Sequence, residues 1–185
     1  MKKLNPFYLV VFMFLFSCGK EIKKEKQQNP TANIESNVAP VVKKETPLIA
    51  TYDYNSLAPL LNKKGDKTYI VNFWATWCKP CVDELPAFEK INENFKDKNV
   101  EVLLVSLDFP NQVESQLLPF IKERNIKSEV VLFDDPNQNV WINKIDSTWT
   151  GALPATIIYT KDKRAFYEQS FDYDLLLKEL QTFIK

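Results

Sequence analysis

The sequence predicts an α/β fold in which a mixed central sheet is covered by helices on both faces. Two observations carry this. From about residue 48 onward, short β-branched and aromatic runs alternate with longer stretches whose apolar residues recur every three or four positions. The last two strand-like runs are separated only by a polar turn, Lys161-Asp162-Lys163, which joins antiparallel neighbours, whereas the earlier runs need crossovers of parallel type. A chain of 185 residues fits one such domain with accessory segments, and its 45% apolar content supplies a core.

Each element follows from its residues. Residues 68–74 (Thr-Tyr-Ile-Val-Asn-Phe-Trp) are β-branched or aromatic apart from Asn72, the pattern of a buried strand. Residues 79–95 place Val82, Leu85, Phe88, Ile91 and Phe95 at spacings of three and four, which predicts a helix. Pro86 is expected to kink it, because proline lacks an N–H and crowds the preceding turn. Residues 100–107 read as a second strand, 111–125 as a helix interrupted at Pro119, 129–133 as a third strand, and 137–145 as a short helix with Trp141 and Ile145 four apart. A strand over 155–159 begins just after Pro154, a partner over 164–170 returns beside it, and a final helix over 172–184 buries Leu175, Leu176, Leu180 and Phe183. Residues 48–63 leave a further strand and helix open, although Asp53 and Ser56 permit a short capped turn.

Ahead of this domain the composition changes. Residues 1–17 combine a basic start (Lys2, Lys3) with an apolar run too short for a permanent span, which needs roughly 20 residues, so they read as a secretion signal. The run ends in Leu15-Phe16-Ser17-Cys18, which resembles the bacterial lipoprotein cleavage box, with Phe16 bulkier than the small residue usual there. The resemblance implies that Cys18 carries lipid and anchors the chain to the membrane on its extracytoplasmic, periplasmic side. A plain signal peptide with an incidental cysteine is the alternative. Residues 18–47 are rich in Lys, Glu, Gln, Asn and Pro and bury too little apolar surface to order themselves. They read as a tether spanning on the order of 30 Å, and residues 48–185 as the catalytic domain.

Composition also removes whole classes of chemistry. Formal net charge is zero, so nothing points to nucleic acid. There is no histidine, hence no imidazole base, no histidine metal ligand and no Cys–His pair. What remains is the run Trp77-Cys78-Lys79-Pro80-Cys81, placed where a strand gives way to a helix. The first turn brings two cysteines so spaced within bonding reach. The helix N-terminus, with unpaired N–H groups and a positive dipole end, stabilises a thiolate at Cys78. Pro80 suits the first turn, where its missing N–H costs nothing. A zinc site would need two further ligands that the chain does not supply. Haem attachment would need histidine where Val82 stands, and a purely structural disulfide gains little from so small a loop. No metal and no cofactor is expected.

The run Val71-Asn72-Phe73-Trp74-Ala75-Thr76-Trp77-Cys78-Lys79-Pro80-Cys81 resembles the active-site region of thioredoxin-like proteins, specifically the extracytoplasmic TlpA/ResA-like thiol–disulfide oxidoreductases. The resemblance spans the whole folded part. It implies a thioredoxin-like three-layer α/β/α sandwich in which Cys78 attacks a substrate disulfide and Cys81 resolves the mixed disulfide. It further implies that Pro154 is the cis-proline opposite the cysteines, presenting the Leu153 backbone to substrate. Glu84 matches the acid that this branch keeps near its dithiol for proton transfer. Asn72 stands where cytosolic thioredoxins carry a buried aspartate, which moves proton handling toward Glu84. Trp77, beside the reactive thiol, is expected to border the docking surface.

Direction is less determined. Reduction potentials within this fold differ by about 150 mV, roughly 7 kcal/mol for two electrons. Lys79 argues modestly for an oxidant, whereas the resemblance implies a reductase of disulfides in exported proteins, apocytochrome c among them, recharged by a membrane electron donor. A thiol peroxidase on the same fold, a disulfide oxidant and a non-catalytic scaffold remain alternatives.

Overall fold

The structure, a computed structural model, describes residues 49–184. The expected signal over residues 1–17, the lipid attachment at Cys18 and the tether to residue 47 lie outside the described residues. In chain order the elements are β1 (Thr51–Tyr52), α1 (Tyr54–Leu57), β2 (Thr68–Trp74), α2 (Lys79–Phe95), β3 (Val100–Ser106), α3 (Leu118–Glu123), β4 (Glu129–Phe133), α4 (Gln138–Ile145), β5 (Ala155–Tyr159), β6 (Arg164–Tyr167) and α5 (Tyr173–Gln181). Strand order in the six-stranded sheet is β1-β4-β3-β2-β5-β6. The run from β1 to β2 is parallel, while β5 pairs antiparallel with both β2 and β6. The mixed sheet with a closing hairpin is therefore as the residues predict, and the fold is thioredoxin-like.

Strand alternation decides which residues reach the site. Every residue of β2 is buried, because both faces of the sheet are covered and a doubly covered strand has no polar side. Ile70 and Trp74 enter the core shared with α2 and α5, through Leu85, Phe88, Ile91, Leu176 and Leu180. Tyr69, Val71 and Phe73 enter the opposite core, with Leu57, Trp141, Ile145 and Trp149. With a period of two, Asn72 falls on the same face as Ile70 and Trp74, beneath α2. That geometric consequence of one strand sets up the chemistry described below.

Several elements differ from the sequence expectation in instructive ways. α2 covers the residues expected of it, with Pro86 inside it and exposed; packing of Leu85, Ala87 and Phe88 outweighs one missing hydrogen bond. Residues 110–123 are not one interrupted helix: a 3-10 turn (Pro110–Gln112) and a π turn (Val113–Leu117) precede α3. Pro119 lies in the first turn of α3, where it needs no N–H partner. Leu175 is only half buried, while Leu176, Leu180 and Phe183 are buried. The N-terminal question resolves as a short strand paired with β4 and a capping box between Asp53 and Ser56.

Candidate active site

Cys78 is the N-cap of α2, with an extended backbone (φ −90°, ψ 98°), and Pro80 lies in the first turn. Its N–H donates to the Ala75 carbonyl at 3.1 Å, and its own carbonyl accepts from the Val82 N–H at 3.0 Å. The helix begins here because Cys78 ends the loop from β2 and residues 79–81 lack the preceding carbonyls a helix interior would offer. Cys78 and Cys81 are joined by a disulfide, with Cα atoms 5.3 Å apart. The two sulfurs are not equivalent in access: Cys81 is fully buried, whereas Cys78 retains 7% exposure. Cys78 is thus the sulfur nearer to solvent.

Glu84 lies one helical turn beyond Cys81, on the same face of α2, and is buried, at 3% exposure. Its Oε1 accepts from the Asn72 amide at 2.8 Å and its Oε2 from the Phe171 N–H at 2.8 Å. Both donors are neutral. Burial pushes its carboxyl up from 4.5 to about 7, and the bonds from Phe171 and Asn72 offset only part of the desolvation. Asn72 spends its second N–H on Thr156 Oγ1 at 3.1 Å, leaving its Oδ1 without a partner. An open cleft of about 540 Å³, lined by Pro80, Asp83, Glu84, Phe171 and Tyr173, lies beside this residue. Asp83, in contrast, faces outward and pairs with Lys79 at 2.6 Å.

The opposite wall is the loop ahead of β5. The Leu153–Pro154 peptide bond is cis, Pro154 is buried, and Leu153 packs against the core that contains both cysteines. The loop is tied down from two sides. Trp149, buried, donates its indole N–H to the Ala152 carbonyl at 2.9 Å. The Glu168 carboxylate accepts from the Thr150 N–H (3.1 Å), the Thr150 hydroxyl and the Ala152 N–H (2.9 Å). Burial raises the Glu168 carboxyl, but those bonds outweigh it and hold it below its ordinary value. Between these anchors Gly151 adopts φ 95°, a conformation that side chains rarely take.

One part of the site was not legible in the residues beforehand. The Thr76 N–H donates to both carboxylate oxygens of Asp108 (3.2 and 3.1 Å), and the Thr76 hydroxyl to Asp108 Oδ1 at 2.5 Å. Ser106 Oγ donates to the same carboxylate at 2.8 Å, and Gln116 on the π turn donates to Thr76 Oγ1 at 2.7 Å. Asp108 is buried. This network fixes the loop that delivers Trp77 and Cys78. The available signal was a polar pair, Ser106 and Asp108, breaking the apolar run of β3 at its C-terminal end, where parallel α/β sheets place their sites. Trp77 itself is 53% exposed, directly before the disulfide.

Among curated proteins, the chain is similar to thiol-disulfide oxidoreductase ResA of Bacillus cereus, 29% identical over 120 residues, which cover 64% of this chain and 64% of that protein. It is also similar to thiol-disulfide oxidoreductase ResA of Bacillus thuringiensis subsp. konkukian, 25% identical over 142 residues, covering 77% and 76%. The chain thus spans just under two thirds of the length of the former. Among solved structures, a DsbF homologue from Corynebacterium diphtheriae aligns with a TM-score of 0.55 at 21% identity, covering 69% of this chain and 76% of that one. A thioredoxin-related protein from Neisseria meningitidis serogroup B aligns with the same TM-score, 0.55, at 23% identity, covering 65% and 87%. Those structural likenesses establish the fold. The sequence profile of the AhpC/TSA family matches residues 44–165, about two thirds of the chain, and the chain belongs to that family.

Proposed function

We propose that this protein is an extracytoplasmic thiol–disulfide oxidoreductase that reduces disulfides in exported proteins, held at the membrane by lipid on Cys18. The observation that carries the reading is the Cys78–Cys81 disulfide seated at the N-terminus of α2, with only Cys78 reachable from solvent. Its similarity to proteins named thiol-disulfide oxidoreductase ResA supports it.

In the dithiol state the Cys78 thiolate, favoured by the helix N-terminus, attacks one sulfur of a substrate disulfide. The substrate's other sulfur leaves as a thiolate and takes up a proton. Cys81 then attacks Cys78 Sγ, releasing the second substrate thiol and closing the disulfide seen here. Two electrons and two protons pass from the cysteine pair to the substrate. Glu84 is suited to accept the proton of Cys81 at this step, since its carboxyl titrates near neutrality one turn away on the same face. A membrane electron donor regenerates the dithiol in the proposed cycle, and apocytochrome c is among the expected substrates. The cis-proline edge, Leu153 and Pro154, would flank the substrate segment on one side and Trp77 on the other.

Two observations favour a reductase over the alternatives. Lys79, which alone would favour an oxidant, is paired with Asp83, so its charge does little for a thiolate at Cys78. A thiol peroxidase would want arginine near its cysteine, but Arg164 donates to the Leu61 and Ile145 carbonyls and Arg124 lies over the Phe120 ring.

The test is reduction of insulin disulfides by the full chain with a chemical reductant supplied. Wild type is expected to accelerate the reaction, and Cys78→Ser to return it to the uncatalysed rate. Equal activity in both would sink the reading. A potential near that of the strong periplasmic oxidants, about −120 mV, would overturn the direction. Incorporation of labelled fatty acid that survives Cys18→Ala would remove the anchor.

A further inference from the structure

Trp77 and Phe109 are the two most exposed large hydrophobic side chains among the described residues, at 53% and 58%. They sit on different loops, yet the backbone brings those loops together. β2 and β3 are in register through Trp74 and Ser106, and the pairing continues past the strand ends with the Leu107 N–H donating to the Trp74 carbonyl at 2.8 Å. The Asp108 carboxylate then clasps Thr76 through its N–H and its hydroxyl, and Gln116 braces the same hydroxyl. Trp77 and Phe109 are the next residue on each chain segment. Burying a carboxylate to lock this junction is costly unless it is fully hydrogen-bonded, as it is here, so the placement of both aromatics is built into the fold.

The position of the patch says what covers it. Cys78 follows Trp77 and is only 7% exposed, so a protein that brings a sulfur to it must lay polypeptide across the residues beside it. On one side lies the Leu153–Pro154 edge. On the other lies the Thr76–Asp108 junction with its two aromatics. Lys79 and Asp83, on the first turns of α2, pair with each other, and the Asp108 carboxylate is buried within its own hydrogen bonds.

We propose that Trp77 and Phe109 form an aromatic platform that docks a large apolar side chain of the substrate polypeptide, adjacent to the cysteine whose disulfide is presented to Cys78. The proposal rests on the reductase reading above and adds to it a substrate preference and a second docking residue. Phe109 is the specificity determinant, because it is exposed on the loop that Asp108 ties to the one carrying Trp77. Apolar contact with aromatic side chains of this kind is a recurring source of selectivity at polypeptide interfaces.

The experiment uses the full chain and two synthetic disulfide peptides that differ only in the residue before the cysteine, Phe in one and Ser in the other, with hydroxyethyl disulfide as a third substrate lacking any side chain to dock. Wild type is expected to show a higher kcat/KM for the Phe peptide. Phe109→Ala should reduce the Phe-over-Ser ratio about fivefold or more, mainly through KM, and by more than it reduces the rate on hydroxyethyl disulfide. Val140→Ala, which removes a similarly exposed apolar side chain from α4, should leave the ratio unchanged and shows that the loss is local. An unaltered ratio in Phe109→Ala, or no preference in wild type, overturns the platform while leaving the reductase intact. A wild-type chain that reduces none of the three overturns the reductase reading, and the platform with it.

Discussion

Glu84 is the residue where burial and chemistry meet most directly. Its two hydrogen bonds come from neutral donors, so nothing in contact with it offsets the loss of hydration as a cation would. Below pH 4.5 the group is protonated in the folded and unfolded chain alike and has no effect on stability. Between 4.5 and about 7 the unfolded chain releases the proton while the folded chain keeps it, so stability falls as pH rises. Above 7 the loss is complete, at about 3 kcal/mol. Glu84→Gln is expected to flatten this component: its oxygen accepts from Phe171, and its amide donates to Asn72 Oδ1 once the Asn72 amide turns over, with the Thr156 hydroxyl donating to the same oxygen. Urea midpoints between pH 4 and 8 check it, and parallel profiles for wild type and variant would contradict it. Asn72 was legible as the departure from the thioredoxin aspartate. That it donates to Glu84 depends on β2 and α2 lying face to face, which no local pattern states.

At the scale of elements, β6 shows how tertiary contacts overrule strand propensity. The residues predict a strand over 164–170, but pairing ends at Tyr167. The next residue, Glu168, turns its carboxylate to the Thr150 and Ala152 N–H groups. A sheet edge that continued would leave those amides without this acceptor. Glu168→Ala is expected to cost about 1 kcal/mol, since the exposed loop donors exchange their charged partner for water. Hydrogen exchange at Thr150 and Ala152 should accelerate well beyond the rest of the chain, and unchanged protection there would argue against the tie. The π turn over Val113–Leu117 is a second such case. Its wider winding changes the direction in which Gln116 leaves the chain, and Gln116 meets Thr76. The sequence shows an apolar stretch with a proline there, which fits an α-helix as well as the mixed element that forms.

For the molecule as a whole, stability resides in the two cores on either side of β2 rather than in charge pairs. The four ion pairs among the described residues all lie at the surface, with side chains from 35% to 88% exposed, so Glu101→Gln should cost about 1 kcal/mol or less. Phe88, fully buried, meets Phe171 edge-on with ring centroids 6.4 Å apart, linking α2 to the segment that leads into α5. Phe88→Ala is expected to destabilise by about 3–5 kcal/mol, through lost transfer energy and the cavity left behind. Chemical denaturation of the two variants tests the contrast, and equal losses would refute it. Since Phe171 also donates its N–H to Glu84, the Phe88 variant should in addition disturb the pH profile of stability.

The sequence by itself determined the α/β class, the order of strands and helices from residue 68 onward apart from the mixed element over 110–123, the hairpin at the C-terminal end, and the cysteine pair at a helix start. These are local properties, readable from side-chain period, β-branching and a two-residue spacing. Only the tertiary structure decided which carboxylates are buried and what they hold. Glu84 meets Asn72 across twelve residues of sequence, and Asp108 meets Thr76 across thirty-two. Such pairings arise where strands of a twisted sheet are set side by side. They are fixed by the packing of both faces at once, and no window along the chain contains them.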